Sequence, residues 1–284
     1  MDIGFYQDKD WSKQPVREIF AVVDILFNKM KKDYKNQLEE GKVSTGPLYN
    51  HVIDFMVKRL ESIDYSDDLK CSIKASGIAF AESILKDPYY IRKSNEWDSV
   101  KKSKGDLTEF GRVMQRKINE SFSKHRQWGM CNRDTSIEIV TQEPHKDFLG
   151  RSRILQGSYG FIGARISYNH SRIMAGKHSE NIRMNNHPAS AVKTPTSWLS
   201  VLFHENAHAI EEIERQQVMC KPATDIADNI DAQLLLADDK FPQTAEFRAM
   251  CYDAYRALPS ERLAREVGQA AFEGRMNAER RLVA

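Results

Sequence analysis

The segment "VLFHENAHAIEEIERQ", residues 201 to 216, places His204 and His208 four positions apart, with Glu205 directly after the first histidine. A helix turns about 100° per residue, so positions i and i+4 lie within about 40° of each other, one turn apart on the same face. His204 and His208 can therefore grip one ion. Zinc held by two neutral imidazoles and a carboxylate keeps one position open for water, whose pKa then falls toward about 7. Glu205, about 100° round the helix from His204, is placed to take that water's proton and pass it to a leaving amine. Eight histidines in 284 residues would yield only about 0.02 chance occurrences of HExxH, so the pattern reads as a metal site.

A helix must carry these groups. Thr194 and Pro195 supply a cap and a first-turn proline, so it is expected to start there and run past Ile213. On a helical wheel Trp198, Leu199, Leu202, Phe203, Ile210 and Ile213 share one broad apolar side, while Glu205, His208 and Glu212 fall near His204 on the other. Asn206 breaks the pattern by lying amid the apolar side. A buried amide there must find partners or cost about 1–3 kcal/mol, so it is expected to bond to the first-half helices or to a sheet.

"HENAH" resembles the active helix of the zincin metallopeptidases, and "GARISYNHSRI" before it is similar to their edge strand, which lines the cleft and pairs with an extended substrate. The resemblance covers roughly residues 150 to 270. The metzincin form HExxHxxGxxH is not met, because Glu211 replaces its glycine and Glu214 its third ligand. "PSERLARE" instead resembles the glutamate-bearing second helix of gluzincins. It is especially similar to metallopeptidase domains of phage and mobile-element antirestriction and large polyvalent proteins. That resemblance implies Glu261 as third zinc ligand, with Arg265 a partner outside it. Asp225, Asp228 and Glu246 stand in reserve, and Tyr168, Tyr252 and Tyr255 are candidates for stabilising an oxyanion.

The remaining chain bounds the function more loosely. Charged residues at 29%, apolar ones at 41% and a net charge of +2 describe a globular protein with no composition-level pull toward nucleic acid or membrane. Cys71, Cys131, Cys220 and Cys251 are too dispersed for a disulfide framework or a thiolate zinc cluster. Neither a signal peptide nor a membrane span is found, which gives a cytoplasmic reading, or export without a cleavable signal.

Residues 1–130 read as a helical region and 131–284 as the zincin-like metallopeptidase domain. At least four helices are expected in the first part. "TSIEIV" and "ARISYN" have the texture of strands. The expected class is α+β: mainly helical, with a small sheet in the second half beside the HExxH helix. The expected function is a zinc-dependent endopeptidase acting on a protein or peptide, Glu205 activating a zinc-bound water. The alternatives are a catalytically silent zincin scaffold that binds a protein or nucleic acid, and a zinc hydrolase of a non-peptide amide.

Overall fold

A computed structural model of the chain describes residues 9–39, 47–123, 136–140, 150–157, 160–169, 194–216, 223–236 and 252–283. They fall into two compact units, each built from segments distant in sequence.

The first unit draws on Met1–Tyr65 and Cys220–Arg262. Its helices are Val16–Glu39 (α1) and Pro47–Glu61 (α2). The spacing of Val16, Ile19, Phe20, Val23, Leu26 and Phe27 puts one continuous apolar stripe on α1, and all six are buried. They share a core with Trp11, Met56, Leu60, Ile63, Ala232, Ala254 and Leu258. The N-terminus of α1 is tied by a bond from the Val16 amide to Asp228 Oδ1 at 3.0 Å. Arg59 on α2 donates from Nε to Asp228 Oδ2 at 2.9 Å and from Nη2 to Asp225 Oδ1 at 3.0 Å.

The second unit comprises most of the remainder, beginning with Asp67–Ile84 (α3), Pro88–Asn95 (α4), Trp97–Lys102 (α5) and Lys104–Ser123 (α6). Pro88 opens α4 behind Asp87, whose side chain accepts the Tyr90 amide at 3.0 Å and pairs with Lys117. The core of this unit is aromatic. Phe110 lies 5.3 Å from Trp198, 6.0 Å from Trp97 and 6.1 Å from Tyr90, ring centre to ring centre.

Three strands follow, Ser136–Val140 (β1), Gly150–Gly157 (β2) and Gly160–Asn169 (β3). Then come Pro195–Gln216 (α7), Ala223–Leu236 (α8), a short helix at residues 252–257 (α9) and Pro259–Val283 (α10). Of these, α8 and α9 belong to the first unit. No described helix is long and apolar enough to cross a membrane.

Two sequence expectations are corrected. The architecture is mainly helical rather than α+β with a sheet. Helical side chains and the turns adjoining them form the described cores, and helices make up most of the described residues. "ARISYN" is also no edge strand. β3 pairs in parallel with β1 and antiparallel with β2, so its main chain is engaged from both sides. Alternation in sequence marks an extended segment, but the neighbours of a strand are decided by segments far along the chain.

Candidate metal centre

α7 begins where its proline requires, with the Trp198 amide bonded to the Thr194 carbonyl at 3.2 Å. Between Trp198 and His208 it is not the two-faced helix its sequence suggests. From Trp198 to His208 every residue is buried except His204 and His208, which are half-buried. Glu205, expected on the solvent side, is 5% exposed. Ser200 and Asn206 are buried as well, and each has a partner suited to it.

Asn206 meets the expectation for it. Its Nδ2 donates to Gln115 Oε1 at 2.9 Å and to the Leu202 carbonyl at 2.7 Å, while Gln115 Nε2 donates back to Asn206 Oδ1 at 2.7 Å. This reciprocal amide pair joins α6 to α7. A buried polar pair with both partners satisfied avoids a desolvation penalty and resists rotation, since turning the helix would break both bonds to Gln115 together.

On the side facing α10, the Ser200 hydroxyl donates to the Gly268 carbonyl at 3.0 Å. Gly268 lets the two helices approach, because a methyl there would stand 2.9 Å from the Ser200 carbonyl oxygen. His204 lies one turn beyond Ser200 and His208 two turns beyond. Glu261 lies two turns from Gly268 toward the start of α10, an unbroken helix. All three thus lie within about two turns of the Ser200–Gly268 contact along their own helices.

The side chains converge accordingly. His204 Nε2 and His208 Nε2 are 3.2 Å apart, with their rings nearly perpendicular. One ligand atom from each of His204, His208 and Glu261 lies within 4.8 Å of the others. Neighbouring donors on a tetrahedral zinc, with bonds of about 2.0–2.1 Å, stand roughly 3.3 Å apart. The imidazole pair already has that spacing, and the carboxylate needs a side-chain adjustment of an ångström or so. Two imidazoles and a carboxylate are also a donor set suited to zinc. The residues present fit the ion.

Glu261 is buried, at 6% exposure, and its Oε1 accepts a hydrogen bond from the Tyr255 hydroxyl. Tyr255, considered as an oxyanion donor, thus has its hydroxyl turned to Glu261, and its ring stacks at 6.4 Å on that of Tyr252. The reserve ligands lie elsewhere: Asp225 and Asp228 hold Arg59, and Glu246 is outside the described residues. The side chains of Tyr168 and Glu214 are likewise outside them. Arg265 is half-buried one turn beyond Glu261 on α10.

Sequence reasoning missed Gln115, Ser200 and Gly268. Of these only Gly268 left a signal, since a glycine inside a helix costs about 1 kcal/mol relative to alanine and suggests that something approaches closely. No protein-family profile, curated protein or solved structure matches the chain.

Proposed function

We propose that the chain is a zinc-dependent hydrolase that cleaves a peptide bond within a protein or peptide substrate. His204, His208 and Glu261 hold the zinc and Glu205 moves the proton. The observation that carries this reading is the convergence of the three donors, with the histidine nitrogens 3.2 Å apart and the carboxylate within 4.8 Å. His204 and His208 are also the half-buried positions on an otherwise buried stretch of α7, so their face is the side from which a substrate reaches the centre.

Zinc, when bound, supplies a Lewis acid that polarises a carbonyl and makes water a stronger acid. Glu205 follows His204 on α7, a helix anchored through Ser200 to Gly268 and through Asn206 to Gln115. Its carboxylate accepts a proton as the oxygen of water adds to the carbonyl carbon, and returns that proton to the nitrogen as the carbon–nitrogen bond breaks. Water, peptide, acid and amine balance without another reactant. A peptide substrate is not asked to pair with β3, whose main chain is already engaged.

The test separates the two glutamates. Glu205→Gln keeps size and leaves the histidines in place, so zinc stays while turnover of an unfolded protein such as casein falls by about 10² or more. Glu261→Ala removes a metal donor, so zinc affinity and turnover fall together. A folded parent chain that refuses added zinc would sink the proposal, and full turnover in Glu205→Gln would sink the proton-transfer role.

A further inference from the structure

We propose that the second half of α1, from Asn28 to Gln37, is a docking segment for a single nucleic-acid strand, its lysines meeting phosphates and Tyr34 a base. The proposal stands independently of the metal centre.

The two halves of α1 do different things. Its apolar stripe is buried from Val16 to Phe27, whereas from Asn28 to Gln37 every described side chain is exposed. That exposed stretch carries Lys29, Lys31, Lys32 and Lys35 against a single acid, Asp33. Other surface lysines have a counter-charge: Lys9, Lys13, Lys93 and Lys101 each lie 3.8 Å or less from a carboxylate oxygen. Among the described residues the four lysines of α1 form no such pair. Lys31 has its ammonium 5.9 Å from the centre of the Phe27 ring, a contact that leaves its charge unneutralised. Like charges three and four positions apart on a helix repel one another, as Lys29 and Lys32 do, and Lys31 and Lys35. A polyanion laid along the segment would relieve that repulsion. The net charge of the chain hides this feature, since 42 basic and 40 acidic side chains nearly cancel overall.

Geometry and chemistry narrow the class of polyanion. On the regular turns of α1, Lys29, Lys31 and Lys32 fall within about 160° of arc. The helix is then interrupted at Tyr34 (φ −135°, ψ 30°), and Lys35 follows directly. From Lys29 to Lys35 the axis advances by about 9 Å, which spans about three phosphates of one strand. Tyr34 stands at the interruption with 51% of its surface exposed. Basic groups that follow a backbone, with an aromatic ring on which a base can stack, are the means by which proteins hold single strands without reading sequence. A membrane surface would require an apolar face beside the lysines, and the described side chains from Asn28 to Gln37 offer Tyr34 alone. An acidic peptide would answer the charge but not the exposed ring.

The experiment uses the full chain and a fluorescently labelled oligothymidylate of about 16 nucleotides, with binding read by anisotropy at about 50 and about 200 mM salt. With three phosphates neutralised, the logarithm of affinity should fall against the logarithm of salt with a slope of about −2, a loss of roughly 20-fold between the two conditions. Lys31→Gln/Lys32→Gln/Lys35→Gln should flatten that slope and lose about 10-fold or more in affinity at the lower salt. Tyr34→Ala should weaken binding by about 5-fold or more and leave the slope unchanged. Glutamine is a good helix former, so the lysine variants keep the fold. Lys86→Gln/Lys102→Gln/Lys104→Gln removes three exposed lysines from other helices and should stay within about twofold of the parent.

A parent that does not bind the oligonucleotide at the lower salt overturns the proposal. So does an equal loss in the two triple variants, which would make the binding a matter of net charge, or a Tyr34→Ala variant that binds as tightly as the parent. Poly-glutamate or phosphatidylserine vesicles bound as tightly as the oligonucleotide would overturn it in favour of an acidic protein or a membrane, and a duplex bound as tightly would remove the single strand as the ligand.

Discussion

Replacing Gly268 with alanine tests how the two site helices are held. The added methyl would lie 2.9 Å from the Ser200 carbonyl oxygen, 3.3 Å from Ser200 Oγ and 3.6 Å from His204 Cβ. The nearest of these is main chain, which has no rotamer to escape into, so α7 and α10 must part by about half an ångström. Overpacking of this kind costs about 1–3 kcal/mol, and stretching the Ser200–Gly268 hydrogen bond adds up to about 1 kcal/mol. Removing a glycine from a helix interior returns about 1 kcal/mol, leaving a net loss of up to about 3 kcal/mol.

The same displacement reaches the metal centre, because His204 is one of the three neighbours. Coordination distances must hold to within about 0.2 Å, so zinc affinity should fall together with stability. Urea unfolding in the presence of a chelator gives the first quantity, and chelator competition gives the second. An uncrowded helical glycine would behave in the opposite way, its alanine variant gaining about 1 kcal/mol. That gain, with unchanged zinc affinity, would refute the close packing of α7 on α10.

Three further outcomes are expected. Asn206→Leu and Gln115→Leu should each cost about 1–3 kcal/mol by stranding the other amide. The double variant should cost less than their sum by about 1 kcal/mol or more, and strict additivity in denaturant unfolding would deny the pair. Asp87→Ala should cost about 1 kcal/mol at neutral pH. For Asp87, burial pushes the carboxyl up, but the Lys117 ammonium and the Tyr90 and Tyr89 amides outweigh it and hold the group below the ordinary carboxylate range. Its contribution is therefore complete above about pH 4 and is lost as pH falls through the lower folded value. The gap between parent and variant should close in acid, and a gap that widens there would reverse the assignment. Finally, zinc at about 100 times its dissociation constant should stabilise the parent by about 2.7 kcal/mol and the Glu261→Ala variant by much less, read as a difference in thermal midpoint.

Much of the helical skeleton was legible in the sequence, for reasons that also mark where legibility stops. The apolar period of α1, the proline starts of α7 and α10 and the partnered Asn206 were all readable, because each is a local rule of spacing, capping or polar satisfaction. α4 and α5 were not, since eight and six residues are too few for a helical period to stand out from aromatic and charged neighbours. The fold class was misjudged because strand-like texture over short runs was weighed against helices that dominate the chain. β3 was taken for an edge because nothing within its own ten residues tells which strands flank it. Glu205 was placed near solvent because a polar residue on a wheel looks the same whether water or protein faces it.

The burial of α7 bears on what the site can do. A stretch of helix as buried as Trp198 to Ala207 is ordinarily apolar nearly all round, yet this one keeps Ser200, Glu205 and Asn206 inside. Ser200 sets its height against α10 through Gly268, and Asn206 sets its rotation against α6 through Gln115. Phe203, packed edge-on to Phe80 at 4.9 Å, closes a third side. With height and rotation both held, the two half-buried histidines cannot drift from the spacing at which their nitrogens face one another. Such rigidity is what a metal needs from its donors and what a proton-transferring group beside them needs from its backbone, since displacements of an ångström cost orders of magnitude in rate. Loosening any one of the three contacts should therefore weaken zinc binding even though none of Ser200, Phe203 or Asn206 is a donor. Phe203→Ala is the sharpest case, because it removes bulk without touching a polar partner. Its expected stability loss of about 3–5 kcal/mol should bring a fall in zinc affinity in the chains that remain folded. Parent-level zinc affinity in those chains would show that α7 is not held by its surroundings but only by the metal.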